Sequence, residues 1–189
     1  SLIVHILKTC GRSPGFMIGG KVCGWDAPAA AGDGNIFVTE SDESDGTLVH
    51  MRSHVAVVTN TEEDHSWTVG GDEVIYGNFA KFAENAETLL YYRGGIADEI
   101  FKRHPRKTAL DCAAEEKRFS HVKNWGRFQR ENAAIAARTA ICLGVDESKA
   151  FAAAESFPGA ERRMTVRFDR PGFTLVEDYA HHPTELAAS

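Results

Sequence analysis

The sequence predicts an α/β protein: a mainly parallel, doubly wound sheet with helices on both faces. Three observations predict it. Short apolar runs alternate along the chain with segments of helical periodicity. The clearest run, His54-Val-Ala-Val-Val-Thr59, stays apolar without alternation, which suits a parallel strand buried on both faces. The 189 residues, 43% apolar and 25% charged, suffice for one real core and a little of a second.

The elements follow in order. Ser1 to Cys10 reads as a helix, apolar at 2, 3, 6 and 7, with Gly11 as its stop. Phe16–Ile18 and Asn35–Thr39 are strand candidates before His54–Thr59. Glu73 to Phe82 is a helix with Val74, Ile75, Phe79 and Phe82 on one face. A strand over Thr88–Tyr92, a helix over Ile96–Arg103 and a strand over Thr108–Leu110 follow. Asp111–Trp125 is charged and has little periodicity. Glu131 to Leu143 is an alanine-rich helix ending at Gly144, and Glu147 to Glu155 is another. Met164–Phe168 and Phe173–Val176 flank a Pro171-Gly172 turn, and the Phe157-Pro-Gly159 break places them in a new domain.

Composition excludes several classes. With 27 acids against 21 bases the net charge is -6, which argues against a duplex nucleic-acid surface. A mean hydropathy of -0.29 and the lack of any 18-residue apolar run argue against a transmembrane helix. Cys10, Cys23, Cys112 and Cys142 form no C-x-x-C pair, so a zinc site or disulfide scaffold is not expected, and a cytoplasmic location is. The helix opening at Ser1 without a lead-in, and the end of the chain soon after a strand, read as a piece of a longer chain.

Two acidic clusters follow strands. One is Thr39-Glu-Ser-Asp-Glu-Ser-Asp-Gly46, and the other closes Thr59-Asn-Thr-Glu-Glu-Asp-His65. Both fall at the carboxyl edge of the expected sheet, where α/β proteins bind ligands. Two readings are open: solvated turns, or a divalent cation site in which Glu40 and His65 face each other and oxygen ligands favour Mg²⁺ or Mn²⁺. His181-His182 after the last strand fits acid–base groups, metal ligands or plain loop. Arg162-Arg163 fits a phosphate clamp or surface charge. Asn132 either reads a base edge or caps its helix. Trp125, Phe128 and Tyr76 are expected in the core. No G-x-S-x-G, H-E-x-x-H or G-x-x-x-x-G-K-[ST] motif occurs.

Six segments, in this order, resemble the Mur ligase family. They are Phe16-Met-Ile-Gly-Gly20, Glu40-Ser-Asp-Glu-Ser-Asp45, Val57-Val-Thr-Asn-Thr-Glu-Glu-Asp-His65, Gly126-Arg-Phe-Gln-Arg-Glu-Asn132, Gly159-Ala-Glu-Arg-Arg163 and Asp178-Tyr-Ala-His-His-Pro-Thr-Glu185. The second and sixth have the form typical of the alanine-adding branch. The resemblance implies an ATP- and Mg²⁺-dependent amide ligase of bacterial peptidoglycan synthesis, acting in the cytoplasm. Its expected substrates are UDP-N-acetylmuramate and L-alanine, joined through an acyl phosphate. A peptide-recycling ligase of the same family, and a non-catalytic α/β binding domain, are the alternatives.

The resemblance also implies residue roles. Glu40 and His65 would hold Mg²⁺. Gln129 and Asn132 would lie at the adenine, Arg163 at the phosphates, and Asp178 on the nucleotide from a third domain. His181 and His182 would lie near the substrate carboxylate and the incoming amine. Residues 1–160 would be the central ATP-binding domain without its phosphate loop, and 161–189 the start of the C-terminal Rossmann-like domain. Two departures stand out. Phe128-Gln129 replaces the family's His-Asn, and the stretch from Tyr92 to Gly126 is short. Some sister ligases use a carbamylated lysine beyond the D-H motif, but the placement of Lys81 does not carry that role over.

Overall fold

In the computed structural model, residues 1–62, 66–123, 125–181 and 186–187 are described. The chain opens with α1 (Leu2–Thr9), which buries Val4, Ile6 and Leu7 completely. Each such side chain removed from water stabilises the fold by about 1.5–3 kcal/mol. Gly11, at φ 77°, ends the helix: its N–H reaches the Lys8 carbonyl and that of Arg12 the Leu7 carbonyl. A left-handed backbone at this position suits glycine because it has no Cβ to clash.

β1 (Gly15–Met17), β2 (Ala29–Ala30) and β3 (Phe37–Thr39) form one sheet in the order β2-β1-β3. β1 and β3 are parallel, with Phe16 opposite Val38, while β2 is antiparallel. After a 3-10 turn at Thr47–His50 come β4 (Ser53–Val58), α2 (Ser66–Val69), α3 (Asp72–Glu84), β5 (Ala86–Tyr92), α4 (Gly95–Phe101) and β6 (Lys107–Leu110). The sheet β4-β5-β6 is parallel throughout, with Val57 opposite Leu90 and Leu90 opposite Thr108. Then follow α5 (Cys112–Lys117), α6 (Arg127–Cys142), α7 (Glu147–Glu155) and the antiparallel hairpin β7 (Thr165–Arg170) and β8 (Phe173–Glu177). Hydrogen bonding thus joins the strands into three small sheets, with parallel pairing in two of them.

Alternation along β5 explains the layers. Leu89 and Tyr91 pack with Ile75, Phe79 and Phe101 of α3 and α4. Leu90 points the other way and packs on Ile135 of α6 with Leu110. A strand covered on both faces needs the apolar run it has over Leu89-Leu-Tyr-Tyr92. The small side chains of α6, Ala133 to Ala140, let α1 and α7 approach closely and form the largest cluster with Ile6, Leu7 and Phe119. Ile36, just before β3, and Val38 within it touch the same cluster of α1, α6 and α7 residues, and α6 also packs on the β4-β5-β6 sheet.

Several expectations change. Val74 is exposed, and Ile75, Phe79 and Ala83 are the buried residues of α3. Charge pairing hides α5 from a periodicity reading: Glu115 is buried, but against Arg138. Trp125 and Tyr76 pack on core clusters as expected, whereas Phe128 is 41% exposed. α6 begins at Arg127, one turn earlier than its alanine pattern. Among the described residues no helix is long and apolar enough to cross a membrane.

Candidate functional site

Glu40 stands one residue beyond β3, and Gly19 two residues beyond β1. Parallel pairing puts both at the carboxyl edge of that sheet. There the Gly19 N–H donates to Glu40 Oε2 at 2.8 Å, while Oε1 accepts from the Ser1 ammonium at 3.1 Å. The approach is close: a Cβ on Gly19 would sit 3.3 Å from Glu40 Oε2, so the carboxylate would have to give by a few tenths of an ångström. Burial by itself would raise the Glu40 pKa, but the Ser1 ammonium and the Gly19 amide outweigh it and hold the carboxyl below its ordinary range. Glu40 is therefore a half-exposed anion whose position is set by backbone.

Asp42 and Asp45 serve the loop itself. Asp42 accepts from Ser44 N–H at 2.7 Å, and Asp45 accepts from the Thr47 N–H at 2.8 Å and its hydroxyl at 2.7 Å. These bonds lower the Asp45 pKa, the Thr47 N–H first. The Thr68 hydroxyl donates to the Ser44 carbonyl at 2.6 Å, so α2, which follows the second acidic segment, adjoins the first. His65 itself lies outside the described residues, and so does His182. Among the described residues no group of three His, Cys, Asp or Glu side chains is placed to hold a metal. Lys81 pairs with Glu84 at 3.1 Å in the last turn of α3.

A second group of candidates is placed by other strands. The Tyr92 hydroxyl, at the end of β5, donates to the Glu131 carbonyl at 2.6 Å and pins the start of α6 at the carboxyl edge of β5 and β6. Burial first, then nearby acidic groups, push the Tyr92 pKa far up, so the hydroxyl keeps the proton it donates. Gln129 Oε1 accepts from the Gly126 N–H at 2.7 Å, and this bond caps the helix. Asn132 is thus not the cap. It sits in the second turn, exposed.

The third group hangs on a tether. Val22 and Ala160 form an antiparallel bridge, flanked by Cys23 N–H to the Gly159 carbonyl at 3.0 Å and Glu161 N–H to the Lys21 carbonyl at 2.8 Å. Lys21 and Glu161 add an ion pair at 3.0 Å. Arg163 is therefore held three residues past a bridge to the segment that follows Gly19-Gly20. Its side chain is exposed, whereas Arg162 pairs with Glu177 at 3.2 Å and lies over the Tyr179 ring. Asp178 accepts from Met164 N–H at 2.8 Å and Ala180 N–H at 2.7 Å, fixing a kink in which Arg162 and Met164 both have positive φ. His181 is exposed, with Nδ1 3.1 Å from the Tyr179 carbonyl.

The structure thus connects Glu40, Gly19, the 21–23 segment and the loop bearing Arg163, and it sets Gln129 and Asn132 on a separate helix start. Sequence reasoning missed the Gly19 amide and the Tyr92 hydroxyl. Gly19-Gly20 was visible as a break after a strand and as part of a motif, but neither assigns a role to its amide, and the partner of Tyr92 lies 39 residues away.

No family model matches the chain. It is 31% identical over 227 residues to a UDP-N-acetylmuramate–L-alanine ligase of Arthrobacter sp. (strain FB24), covering 100% of this chain and 46% of that protein. It is 32% identical over 220 residues to the ligase of the same name from Paenarthrobacter aurescens (strain TC1), covering 100% and 48%. The chain spans about half the length of the curated relatives it matches. It is also shorter than they are within the matched region, 189 residues against alignments of 227 and 220. Its fold matches the crystal structure of UDP-N-acetylmuramate-alanine ligase MurC from Thermotoga maritima with a TM-score of 0.78 and 20% identity, over 99% of this chain and 49% of that one. It matches a murein peptide ligase from Psychrobacter arcticus with a TM-score of 0.68 and 21% identity, over 98% and 49%.

Proposed function

Because the chain belongs to the Mur ligase family, homologous to UDP-N-acetylmuramate–L-alanine ligases over about half their length, we propose that it is the ATP-binding part of such a ligase. Residues 1–160 are the ATP-binding domain, with both parallel sheets in one doubly wound layer under α6, and residues 161–189 begin the next domain. The observation that carries the reading is Glu40, an anion fixed at a parallel-sheet edge by the Gly19 amide.

A fixed carboxylate oxygen is the donor type that Mg²⁺ takes, so Glu40 fits this role, with His65 as the second candidate. When bound, Mg²⁺ screens the charge of the ATP phosphates, so that a carboxylate can approach them. The chain's own residues do the rest. Arg163, exposed and unpaired among the described residues, stabilises charge developing on the transferred phosphoryl group. Asn132 and Gln129 hold the adenine end, and Asp178 orients the nucleotide from the hairpin side. The carboxylate of UDP-N-acetylmuramate attacks the γ-phosphorus, giving an acyl phosphate and ADP. The amine of L-alanine then attacks the acyl carbon near His181 and His182, and phosphate leaves. A peptide-recycling ligase ranks second, because its acidic motif usually has Tyr where this chain has Ser44. We place the protein in the bacterial cytoplasm.

The experiment uses the purified 189-residue chain with ATP, Mg²⁺, UDP-N-acetylmuramate and L-alanine, and follows nucleotide binding and phosphate release. These residues carry no G-x-x-x-x-G-K-[ST] loop, so no fixed seat for the β- and γ-phosphates is expected. The expected outcome is Mg²⁺-dependent nucleotide binding without alanine-dependent phosphate release. Loss of all nucleotide affinity would overturn the reading. Alanine-dependent release would overturn the placement of the phosphate seat outside these residues.

A further inference from the structure

The segment 19–25 is anchored in the core and reaches two separate groups. At one end the Gly19 N–H donates to Glu40 Oε2 at 2.8 Å. In the middle Val22, 1% exposed, is buried with Val4, Phe16 and Ile18. Trp25 packs on the same cluster, and Lys8 Nζ of α1 lies 4.6 Å from its ring centroid. Val22 also bridges Ala160, through Cys23 N–H to the Gly159 carbonyl at 3.0 Å and Glu161 N–H to the Lys21 carbonyl at 2.8 Å. The Arg163 N–H in turn donates to the Ala160 carbonyl at 3.3 Å, so the backbone of this arginine hangs directly from the bridged residue. Arg162 and Met164, on either side of it, have φ of 60° and 47°. A non-glycine backbone keeps that conformation only where its surroundings hold it. The hairpin holds one flank, through Met164 N–H to Asp178 at 2.8 Å, and the bridge holds the other.

We propose that segment 19–25 is a positioning strap: the pairing of Lys21, Val22 and Cys23 with residues 159–161 sets the Arg163 guanidinium at the phosphate site that Glu40 serves. This rests on the nucleotide reading above, in which Arg163 lies at the phosphates. The positioning residues are Val22, whose burial fixes the strap, Cys23, whose amide holds the Gly159 carbonyl, and the Lys21–Glu161 ion pair at 3.0 Å. They act through Arg163 and not by touching the nucleotide. An arginine on a free loop gives up conformational freedom when it grips an anion, and a backbone fixed beforehand removes part of that cost. One segment carries both the Gly19 amide and the bridge, so the spacing between carboxylate and guanidinium is not set by the hairpin alone.

The test measures, by titration calorimetry on the full 189-residue chain, affinities for magnesium tripolyphosphate, Mg-ATP and adenosine. Arg163→Ala is expected to weaken tripolyphosphate and ATP about tenfold, as loss of a charge-assisted hydrogen bond does, and to leave adenosine unchanged. Cys23→Pro removes the amide donor without changing the charge, and is expected to weaken the same two ligands about threefold, again sparing adenosine. In the Arg163→Ala background Cys23→Pro has no further effect, because it acts through that arginine. Both bridge bonds flank Val22 and Ala160, so these form the narrow pair of an antiparallel ladder, with Cα atoms about 4.5 Å apart. A Val22→Cys/Ala160→Cys disulfide fits that spacing and restores binding to the Cys23→Pro chain. Circular dichroism checks the fold of each variant. If Cys23→Pro is unfolded, Lys21→Met with Glu161→Gln, which removes the ion pair at constant net charge, takes its place in the same cycle. Tripolyphosphate affinity that falls with Arg163→Ala but not with loss of the strap pairing, or that falls equally with and without Arg163, overturns the strap and leaves the nucleotide reading intact. An Arg163→Ala chain that binds tripolyphosphate like the unmodified one, or an unmodified chain that does not bind Mg-ATP, overturns the phosphate reading on which the strap rests.

Discussion

Glu40 is held by the Gly19 backbone amide rather than by side-chain packing, and that makes it separable from the fold. It contributes no apolar burial. In a polypeptide that also supplies the rest of the ligase, Glu40→Ala is expected to lower kcat on the order of 10²-fold or more, as removal of other charge stabilisers does, with little change in the thermal midpoint. Steady-state kinetics at saturating Mg²⁺ beside a melting curve checks this, and a near-native rate would remove Glu40 from the site. His5 gives a pH test. It lies 3.0 Å from the Ser156 hydroxyl and edge-on to Phe157. Burial lowers its pKa below the ordinary imidazole value of 6.5, and a backbone bond to Ala153 only partly opposes that. The folded state then binds the proton less readily than the unfolded chain does, so stability falls as pH drops through 6.5 toward the lowered value. His5→Gln keeps a hydrogen-bonding group without the titration. Its thermal midpoint is expected to decline less between neutral and mildly acidic pH than that of the unmodified chain.

Among the elements, the helices α1 and α7 and the strands β4 to β6 lie close to where periodicity put them, because each buries a simple apolar face or run. α6 and α5 did not read so easily. The first turn of α6 is Arg-Phe-Gln-Arg, whose helical state depends on the Gln129 cap and the Tyr92 bond, neither of which has an apolar pattern. α5 is started by Asp111, whose Oδ1 accepts the Ala114 N–H at 2.8 Å. Asp111→Ala is expected to cost about 1 kcal/mol, measured by denaturant unfolding. An unchanged midpoint would mean that packing, not the cap, sets this helix.

At the scale of the molecule, a charge cluster with buried Glu115 at its inner end links α5, α6 and α7. Glu115 of α5 meets Arg138 of α6 at 2.9 Å, and Arg138 and Arg118 both reach Glu147 of α7, at 3.2 and 3.1 Å. Phe151 lies under both guanidinium groups, at 4.6 Å from Arg118 and 5.5 Å from Arg138. Glu115→Ala leaves Arg138 partly buried without its main partner and is expected to cost about 2–3 kcal/mol. Glu84→Ala breaks the exposed pair with Lys81 and is expected to cost under about 1 kcal/mol. Comparing the two by urea unfolding checks whether the cluster holds the three helices together, and equal costs would show that it does not.

The sequence alone was enough to place α1, α3, α7 and β4 to β6, to show the family resemblance and to name the candidate residues, because periodicity and short motifs are local properties of the chain; β2, α2 and α5 were not read from it. His54–Thr59 announces a doubly buried strand, and Glu40 announces itself by following Ile36-Phe-Val-Thr39. Partners distant along the chain were decided only in three dimensions. That Glu40 meets the Gly19 amide depends on the parallel register of β1 and β3. That Arg163 hangs beside the segment after Gly19-Gly20 depends on the bridge between Val22 and Ala160, 138 residues apart. Phe128 has the composition of a core residue and lies at the surface, because the turn it occupies is held by the hydroxyl of Tyr92 rather than by its own apolar contact. A hydrogen bond between segments far apart leaves no period in the sequence, so only the folded chain records it.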